Sequence, residues 1–154
     1  MKFSTREDIE APAEFVFDRV TDFDAYERRA LRQGADVARR TDGPIGVGSI
    51  WDVVFTFRGR ERRVAAEITT LDRPTAMVIH SASDGLDVQT EVDLIALSQT
   101  RTRVMVSIEL KAKTLTARLL LQSMKLAKTK LTKRFKARVL DYAEDIEDRF
   151  RRDV

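Results

Sequence analysis

Apolar and polar residues alternate along most of the chain between Ser49 and about Lys111. The clearest run is LDVQTEVDL, in which every second residue from Leu86 to Leu94 is apolar or threonine and the residues between are polar. Alternation of this kind is typical of strands in an antiparallel sheet with one buried and one wetted face. Turn-forming residues such as Asp72-Arg73-Pro74 separate the runs, so the pattern predicts one strand after another.

The C-terminal segment follows a longer period. From Leu120 and Met124 to Phe150, apolar residues recur at steps of three or four. This spacing places them along one side of an α-helix of about 30 residues, roughly 45 Å long. No glycine or proline occurs from Lys111 to the last residue. We therefore expect one long helix whose apolar stripe covers the buried face of the sheet.

The first third of the chain adds a strand and two short helices. Ala11-Pro12 ends an extended start and favours a helix, because proline suits a first helical turn. Asp22 or Asp24 can cap a second short helix that runs through Ala30. The segment TDGPIGVG (41–48) is dense in turn formers and predicts a loop. The predicted order is a strand, two short helices, about six further antiparallel strands and the long helix.

Length and composition predict a single domain over residues 1–154. The charged N-terminus lacks the apolar core of a signal peptide, and no apolar run is long enough to span a membrane. The absence of cysteine excludes disulfides, thiolate chemistry and Cys-ligated metal sites. His, Asp and Glu show no metal-ligand spacing. We therefore expect a cytoplasmic protein without a metal or a cofactor.

Three motifs accompany the predicted order of elements. IEAPAEFVFDRVTDFDAYERRA (9–30) reads as a strand, Ala-Pro, a helix with paired aromatics, and Thr-Asp before a second helix. GVGSIWDV (46–53) is a Gly-x-Gly turn into a strand, and LDRPTAMVIH (71–80) is a strand–Asp-x-Pro–strand step. Together they resemble the START-like or SRPBCC superfamily, which includes the birch-pollen-allergen fold, the polyketide cyclases and dehydratases, and the lipid-transfer START domains.

This resemblance covers nearly the whole chain and implies an α+β helix-grip fold. In that fold a curved antiparallel sheet of about seven strands wraps round a long C-terminal helix. One departure concerns the segment after the second helix, where family members often place a Trp-Pro pair and this chain reads ALRQGADVA (30–38). The geometry of the cavity mouth is therefore left open by the resemblance.

A sheet wrapped round one helix encloses a space lined by aromatic and aliphatic side chains, which is typical of a small-molecule pocket. The first hypothesis is therefore binding or transport of a small hydrophobic or amphipathic ligand between the sheet and the C-terminal helix. Thr90 is the polar member of a row of inward-facing side chains. It either offers its hydroxyl to the pocket or serves only as a packing residue in the strand. The expected lining is Trp51, Phe55, Phe57, Thr90, Met124, Leu131 and Phe135.

A second hypothesis is a polyketide cyclase or dehydratase-type enzyme that uses the same cavity. Alternation from Phe3 to Ile9 turns Glu7 inward, where a carboxylate can orient a ligand or act as an acid or base. At an edge strand Glu7 can equally reach solvent or pair with an arginine. His80 is the only histidine. It is a candidate general base or a structural residue, and the residues before it do not alternate clearly enough to assign its face.

Basic charge is concentrated in residues 111–140, which hold ten basic and no acidic side chains, while the whole chain has a net charge of +3. A solvated helix face partly paired with acidic segments explains such a run. An alternative is a lipid or isoprenoid carrier that docks on an anionic membrane. Poor interleaving of aromatic residues argues against nucleic acid. Residues off the main stripe leave a membrane contact or a homodimer surface open, namely Leu119, Leu126 and Leu140.

Overall fold

Seven strands and four helices occupy residues 1–153, the part of the chain that the computed structural model describes. Their order confirms the predicted succession of a strand, two short helices, further strands and a long C-terminal helix, which a second helix, α3, precedes. The bounds are β1 (Lys2–Ile9), α1 (Ala13–Val20), α2 (Phe23–Arg32), β2 (Asp36–Arg39), β3 (Ile50–Phe57), β4 (Arg60–Asp72), β5 (Ala76–Ser83), β6 (Leu86–Ser98), β7 (Arg101–Ala112), α3 (Leu115–Leu126) and α4 (Lys128–Asp153).

All seven strands form one antiparallel sheet in the order β1-β7-β6-β5-β4-β3-β2, so β1 and β2 are its edges. Tight two-residue turns join β3 to β4 and β5 to β6. Arg58-Gly59 and Asp84-Gly85 both have positive φ at the two central positions, which is the geometry of a type I′ hairpin turn. Strand β2 is too short to carry a visible alternation, and the sequence pattern did not predict it.

The helices pack on one face of the sheet, which we call the inner face. α4 packs mainly on β1, α1 on β6 and β7, and α2 on β2. Residues opposite each other in register share a face, so Ile68 and Ile79 lie on the inner face together with Thr90. A bulge between Ile68 and Thr70 shifts the register and keeps Leu71 on that face as well.

The well-buried core occupies one half of the inner face, which we call the closed half. Ile9 and Ile68 from the sheet, Val16 and Phe17 from α1, and Ile146 from α4 have almost no exposed surface. The neighbouring strand positions are buried as well, at Met77, Val92, Leu94 and Val104. These contacts hold α1 and the C-terminal part of α4 on the sheet.

Side-chain caps start two of the helices. The Asp22 carboxylate accepts a hydrogen bond from the backbone N–H of Ala25 (3.1 Å), which confirms Asp22 as the cap of α2. Thr114 caps α3 in the same way, through the N–H of Ala117 (3.2 Å). Gly85 lies against this cap, where a β-carbon would collide with the Thr114 side chain.

The expected single C-terminal helix is divided at Ala127. Ala127 has φ −108° and ψ 17°, and its N–H bonds to the Met124 carbonyl three residues back rather than four. This tighter turn changes the phase of the apolar positions. The prediction placed Leu120 on the buried stripe, whereas the structure exposes Leu120 and buries Leu121. Within residues 1–153, no helix is long and apolar enough to cross a membrane.

Candidate functional site

The other half of the inner face carries apolar side chains that the helices leave partly uncovered. Its central row consists of Thr90 between Ile79 and Ile108, and the next row holds Val88 between Ser81 and Leu110. All six side chains are half-buried although they lie on the middle strands of the sheet. We call this half-open, largely apolar surface the groove.

A pocket of about 220 Å³ lies at the edge of the groove, between α2 and the strands β2 to β5. We call it the α2 pocket. Its wall is almost entirely apolar, because the only ionisable side chains among the lining residues are Tyr26 and Glu27. The full lining is Phe23, Tyr26, Glu27, Ala30, Val37, Trp51, Val53, Ala66 and Ile79.

Trp51, the only tryptophan of the chain, is the central wall of this pocket. Its ring stacks on Phe23 with a centroid distance of 5.0 Å and an interplanar angle of 24°. Its indole Nε1–H donates to Glu27 Oε1 at 2.6 Å. The bond satisfies the buried N–H and holds the carboxylate at the pocket wall.

The two tyrosines of the chain close the side of α2. The Tyr26 hydroxyl donates to the Val20 carbonyl (2.6 Å). The Tyr142 hydroxyl of α4 lies 2.8 Å from the Tyr26 oxygen and 3.1 Å from the Arg19 carbonyl, and it can donate its single proton to either of them. Burial raises the pKa of both hydroxyls above the ordinary value of 10.0. The pair is therefore neutral at physiological pH and ties α2 to α4.

Arg62 brings a cation to the far end of the groove. It lies opposite Phe55 and shares the inner face with Val64 and Ala66. Its Nη1 is 3.9 Å from Asp84 Oδ2, whereas its Nε is buried without a hydrogen-bond partner among residues 1–153. An unpaired buried N–H is costly. The Arg62 side chain as a whole is 29% exposed, so the accessible part of its guanidinium can meet an acceptor group on a ligand.

The predicted lining residues from β3 and β6 occupy different parts of the groove. Trp51 lines the α2 pocket, and Phe55 lies further along β3, half-buried. Phe57 is 52% exposed next to the β3–β4 turn, where the Arg58 guanidinium lies 5.3 Å from its ring centroid. Thr90 lies in the central row, between two isoleucines.

The predicted lining residues from the C-terminal helices are all half-buried. Met124 belongs to α3, whereas Leu131 and Phe135 belong to the first half of α4. The Phe135 ring lies 6.0 Å from that of Phe3 on β1, so it contacts the edge of the sheet. The division at Ala127 therefore distributes these three side chains over two helices.

The structure does not bring the two acid/base candidates together. His80 lies on the outer face, in register with Glu67 and Gln89, and its Nε2 is 3.7 Å from Asp87 Oδ2. Glu7 is half-buried on the inner face at edge strand β1, opposite Val104 in the closed half. Neither side chain is among the lining residues of the α2 pocket.

Sequence reasoning missed the contribution of α2 and the cation of β4. Phe23, Tyr26, Glu27 and Ala30 recur at helical spacing, which indicates a common face but not what that face covers. The alternation through β4 does place Arg62 on the same side as Val64, and this is the signal that could have found it. Among residues 1–153, no cluster of three or more His, Asp or Glu side chains has metal-binding geometry.

Comparison with solved structures identifies the architecture. No protein-family model and no curated protein sequence matches the chain significantly. The protein TTHA0849 from Thermus thermophilus superposes with a TM-score of 0.66 at 15% identity, over 95% of this chain and 97% of that one. The chain has the helix-grip fold.

Two enzymes also superpose on this fold. The ZhuI aromatase/cyclase from Streptomyces sp. R1128 has a TM-score of 0.57 at 13% identity, over 74% of this chain and 69% of that one. Norcoclaurine synthase from Thalictrum flavum, in complex with dopamine and hydroxybenzaldehyde, has a TM-score of 0.56 at 16% identity, over 85% and 86%. The predicted START-like resemblance is confirmed at the level of the fold.

The tyrosine pair predicts a loss of stability at high pH. Because the folded-state pKa values are raised, the stabilisation by the neutral hydroxyls is present below about pH 10 and decreases as the pH rises towards the folded values. Absorbance titration of tyrosinate should give folded-state pKa values above 10.0, and denaturant should restore the ordinary value. The free energy of unfolding of the Tyr26→Phe/Tyr142→Phe variant should fall less steeply with pH. Folded-state pKa values at the ordinary 10.0 would contradict the burial of the two hydroxyls.

Proposed function

We propose that the protein binds a small hydrophobic or amphipathic molecule in the groove, with an apolar end in the α2 pocket. The observation that carries this proposal is the uncovered apolar surface on the central strands of the sheet, continuous with an apolar pocket of about 220 Å³. Half-buried isoleucine and valine side chains at the centre of a sheet gain free energy from any apolar occupant, on the order of 25 cal/mol per Å².

The volume of the α2 pocket sets the size of the group that enters it. An apolar cavity of about 150 Å³ holds a benzene molecule, so a pocket of about 220 Å³ accepts one substituted ring or a short branched chain. A larger ligand extends from the pocket along the groove. Trp51 and Phe23 offer a stacked aromatic wall, which favours a planar group.

Two polar groups give the ligand a direction. Glu27 at the α2 pocket can accept from a hydroxyl or an amine, and the partly exposed guanidinium of Arg62 can donate to a carboxylate or another acidic group. A ligand with an apolar ring and an acidic group satisfies more of this surface than a plain hydrocarbon. The norcoclaurine synthase complex holds dopamine and hydroxybenzaldehyde, which are small aromatic molecules with polar substituents.

The enzyme hypothesis receives less support from the geometry. A cyclase or dehydratase needs an acid or base within hydrogen-bond reach of the bound chain. His80 lies on the outer face, and Glu7 lies at the edge strand beside the closed half. The carboxylate that does line the α2 pocket, Glu27, accepts the Trp51 N–H, and similarity of fold to an aromatase/cyclase does not assign it a catalytic role. Binding without turnover is therefore the stronger proposal.

Filling the α2 pocket should weaken the binding of an uncharged apolar probe. We expect N-phenylnaphthylamine to alter the fluorescence of Trp51 on titration, because that side chain forms the pocket wall. Ala66→Leu places a larger side chain in the pocket. It should lower the affinity for the probe about tenfold, since overpacking costs on the order of 1–3 kcal/mol. Ala65→Leu, on the outer face of the same strand, is the matched control. Equal affinity in the two variants would contradict the site.

Arg62 should distinguish an acidic probe from a neutral one of the same skeleton. Anilinonaphthalenesulfonate differs from N-phenylnaphthylamine by its sulfonate. A hydrogen bond to Arg62 therefore increases the affinity of the sulfonate probe and not that of N-phenylnaphthylamine. Arg62→Gln should lower the affinity for the sulfonate probe about tenfold, because a hydrogen bond to a charged group is worth roughly 1.5–3 kcal/mol. The affinity for the neutral probe should be unchanged. Arg63→Gln on the outer face is the control. An equal effect on both probes would contradict the assignment.

A further inference from the structure

Helix α3 exposes an apolar stripe on the side turned away from the sheet. Leu115, Leu119 and Leu126 are 72%, 58% and 92% exposed, and steps of four and seven place them on one side of the helix. The other side of α3 is buried through Ala117 and Leu121. The helix is therefore apolar on two sides, although packing against β7 explains only one of them.

Unpaired cations surround this stripe and continue into α4. Lys111 and Lys113, just before α3, pair with Glu109 (3.2 Å) and Asp87 (2.7 Å). The next eight cations are all exposed, and within residues 1–153 none of them forms an ion pair with a carboxylate. They are Arg118, Lys125, Lys128, Lys130, Lys133, Arg134, Lys136 and Arg138.

The acidic ends of the chain do not neutralise these cations, contrary to the simplest interpretation of the sequence. Near the N-terminus, Asp8 bonds to Arg103 (2.8 Å) and Asp18 to Arg73 (2.7 Å). Near the C-terminus, Glu147 pairs with Arg151 within the same helix (2.9 Å). The surface of α3 and the first half of α4 thus retains its positive charge.

We propose that this α3–α4 surface, formed by the three exposed leucines and the eight cations, docks on a bilayer that contains anionic phospholipid. Leucine side chains can enter the boundary between headgroups and acyl chains, while lysine and arginine bind the anionic headgroups. Exposed leucines beside unpaired cations satisfy both requirements. The inference goes beyond ligand binding, because docking needs no occupant in the groove.

Two other occupants fit the surface less well. A nucleic acid would find phosphate partners but no stacking platform, since Phe135 packs on Phe3. A second copy of the chain, related by a two-fold axis, would place one set of cations against the other. A bilayer instead complements both the charge and the leucines.

Docking would bring the groove close to the membrane. Met124 is a half-buried residue on the same helix as the exposed leucines, and it is one of the side chains expected to line the groove. α3 would therefore lie between the bilayer and the groove. This arrangement suits a protein that exchanges an apolar ligand with the acyl region of the membrane.

Vesicle co-sedimentation of the full chain tests the proposal. Vesicles of phosphatidylcholine with phosphatidylglycerol should bind the protein at low salt, and high salt should weaken that binding. Lys130→Gln/Lys133→Gln/Arg134→Gln should reduce the partition coefficient about hundredfold, at about fivefold per charge. Arg28→Gln/Arg32→Gln/Arg39→Gln on α2 and β2 changes the net charge equally and should reduce it far less.

The leucines have a separate variant and control. Leu119→Ser/Leu126→Ser should weaken vesicle binding at least tenfold, whereas Leu31→Ser/Leu97→Ser, at exposed leucines elsewhere, should not. All these positions are exposed, so circular dichroism and the melting temperature should be unchanged in every variant.

Three results would overturn the proposal. The first is equal binding, or no binding, to vesicles with and without phosphatidylglycerol. The second is tighter binding to duplex or single-stranded nucleic acid than to the vesicles. The third is a dimer that Leu119→Ser/Leu126→Ser dissociates. The assay measures only vesicle binding. A protein that fails to bind vesicles would therefore not contradict ligand binding in the groove, and a protein with no ligand in the groove would not contradict membrane docking.

Discussion

The arrangement of the whole molecule depends on packing that is confined to one half of the inner face. Ile9 and Ile68 in the sheet, Phe17 in α1 and Ile146 in α4 form a core from which water is excluded. Such burial is strong enough to fix α1 and the second half of α4. The helices cannot follow the sheet across its full width, so the apolar side chains of the other half remain partly exposed. The groove is the consequence of this uneven coverage.

The α2 pocket is held in shape by polar contacts rather than by the main core. Tyr26 and Tyr142 join α2 to α4 through a hydroxyl pair, and Trp51 joins β3 to α2 through Glu27. Each contact satisfies a group that burial would otherwise penalise. A pocket lined by few side chains keeps its volume only if its walls are fixed independently of a ligand. These two links provide that preorganisation.

The sequence predicted the sheet far better than the site. Alternation is regular from Leu86 to Leu94 in β6 because one face is buried and one is wet, whereas β2 is too short to show it. No glycine or proline marks the division of the C-terminal helix at Ala127 in the sequence, because the division arises from local hydrogen bonding. The α2 pocket joins residues from five elements, and periodicity within one element cannot reveal such a meeting. Whether a lysine finds an acidic partner is likewise a property of the assembled fold.

The central claim is that the groove holds a small apolar or amphipathic molecule. Native mass spectrometry of freshly purified protein beside a solvent-extracted sample tests it most directly. Binding in the groove predicts a mass excess of a small molecule in the first sample and its loss in the second. The extracted protein should then take up N-phenylnaphthylamine. A fresh protein at the mass of the bare chain, together with no uptake of that probe, would contradict the claim.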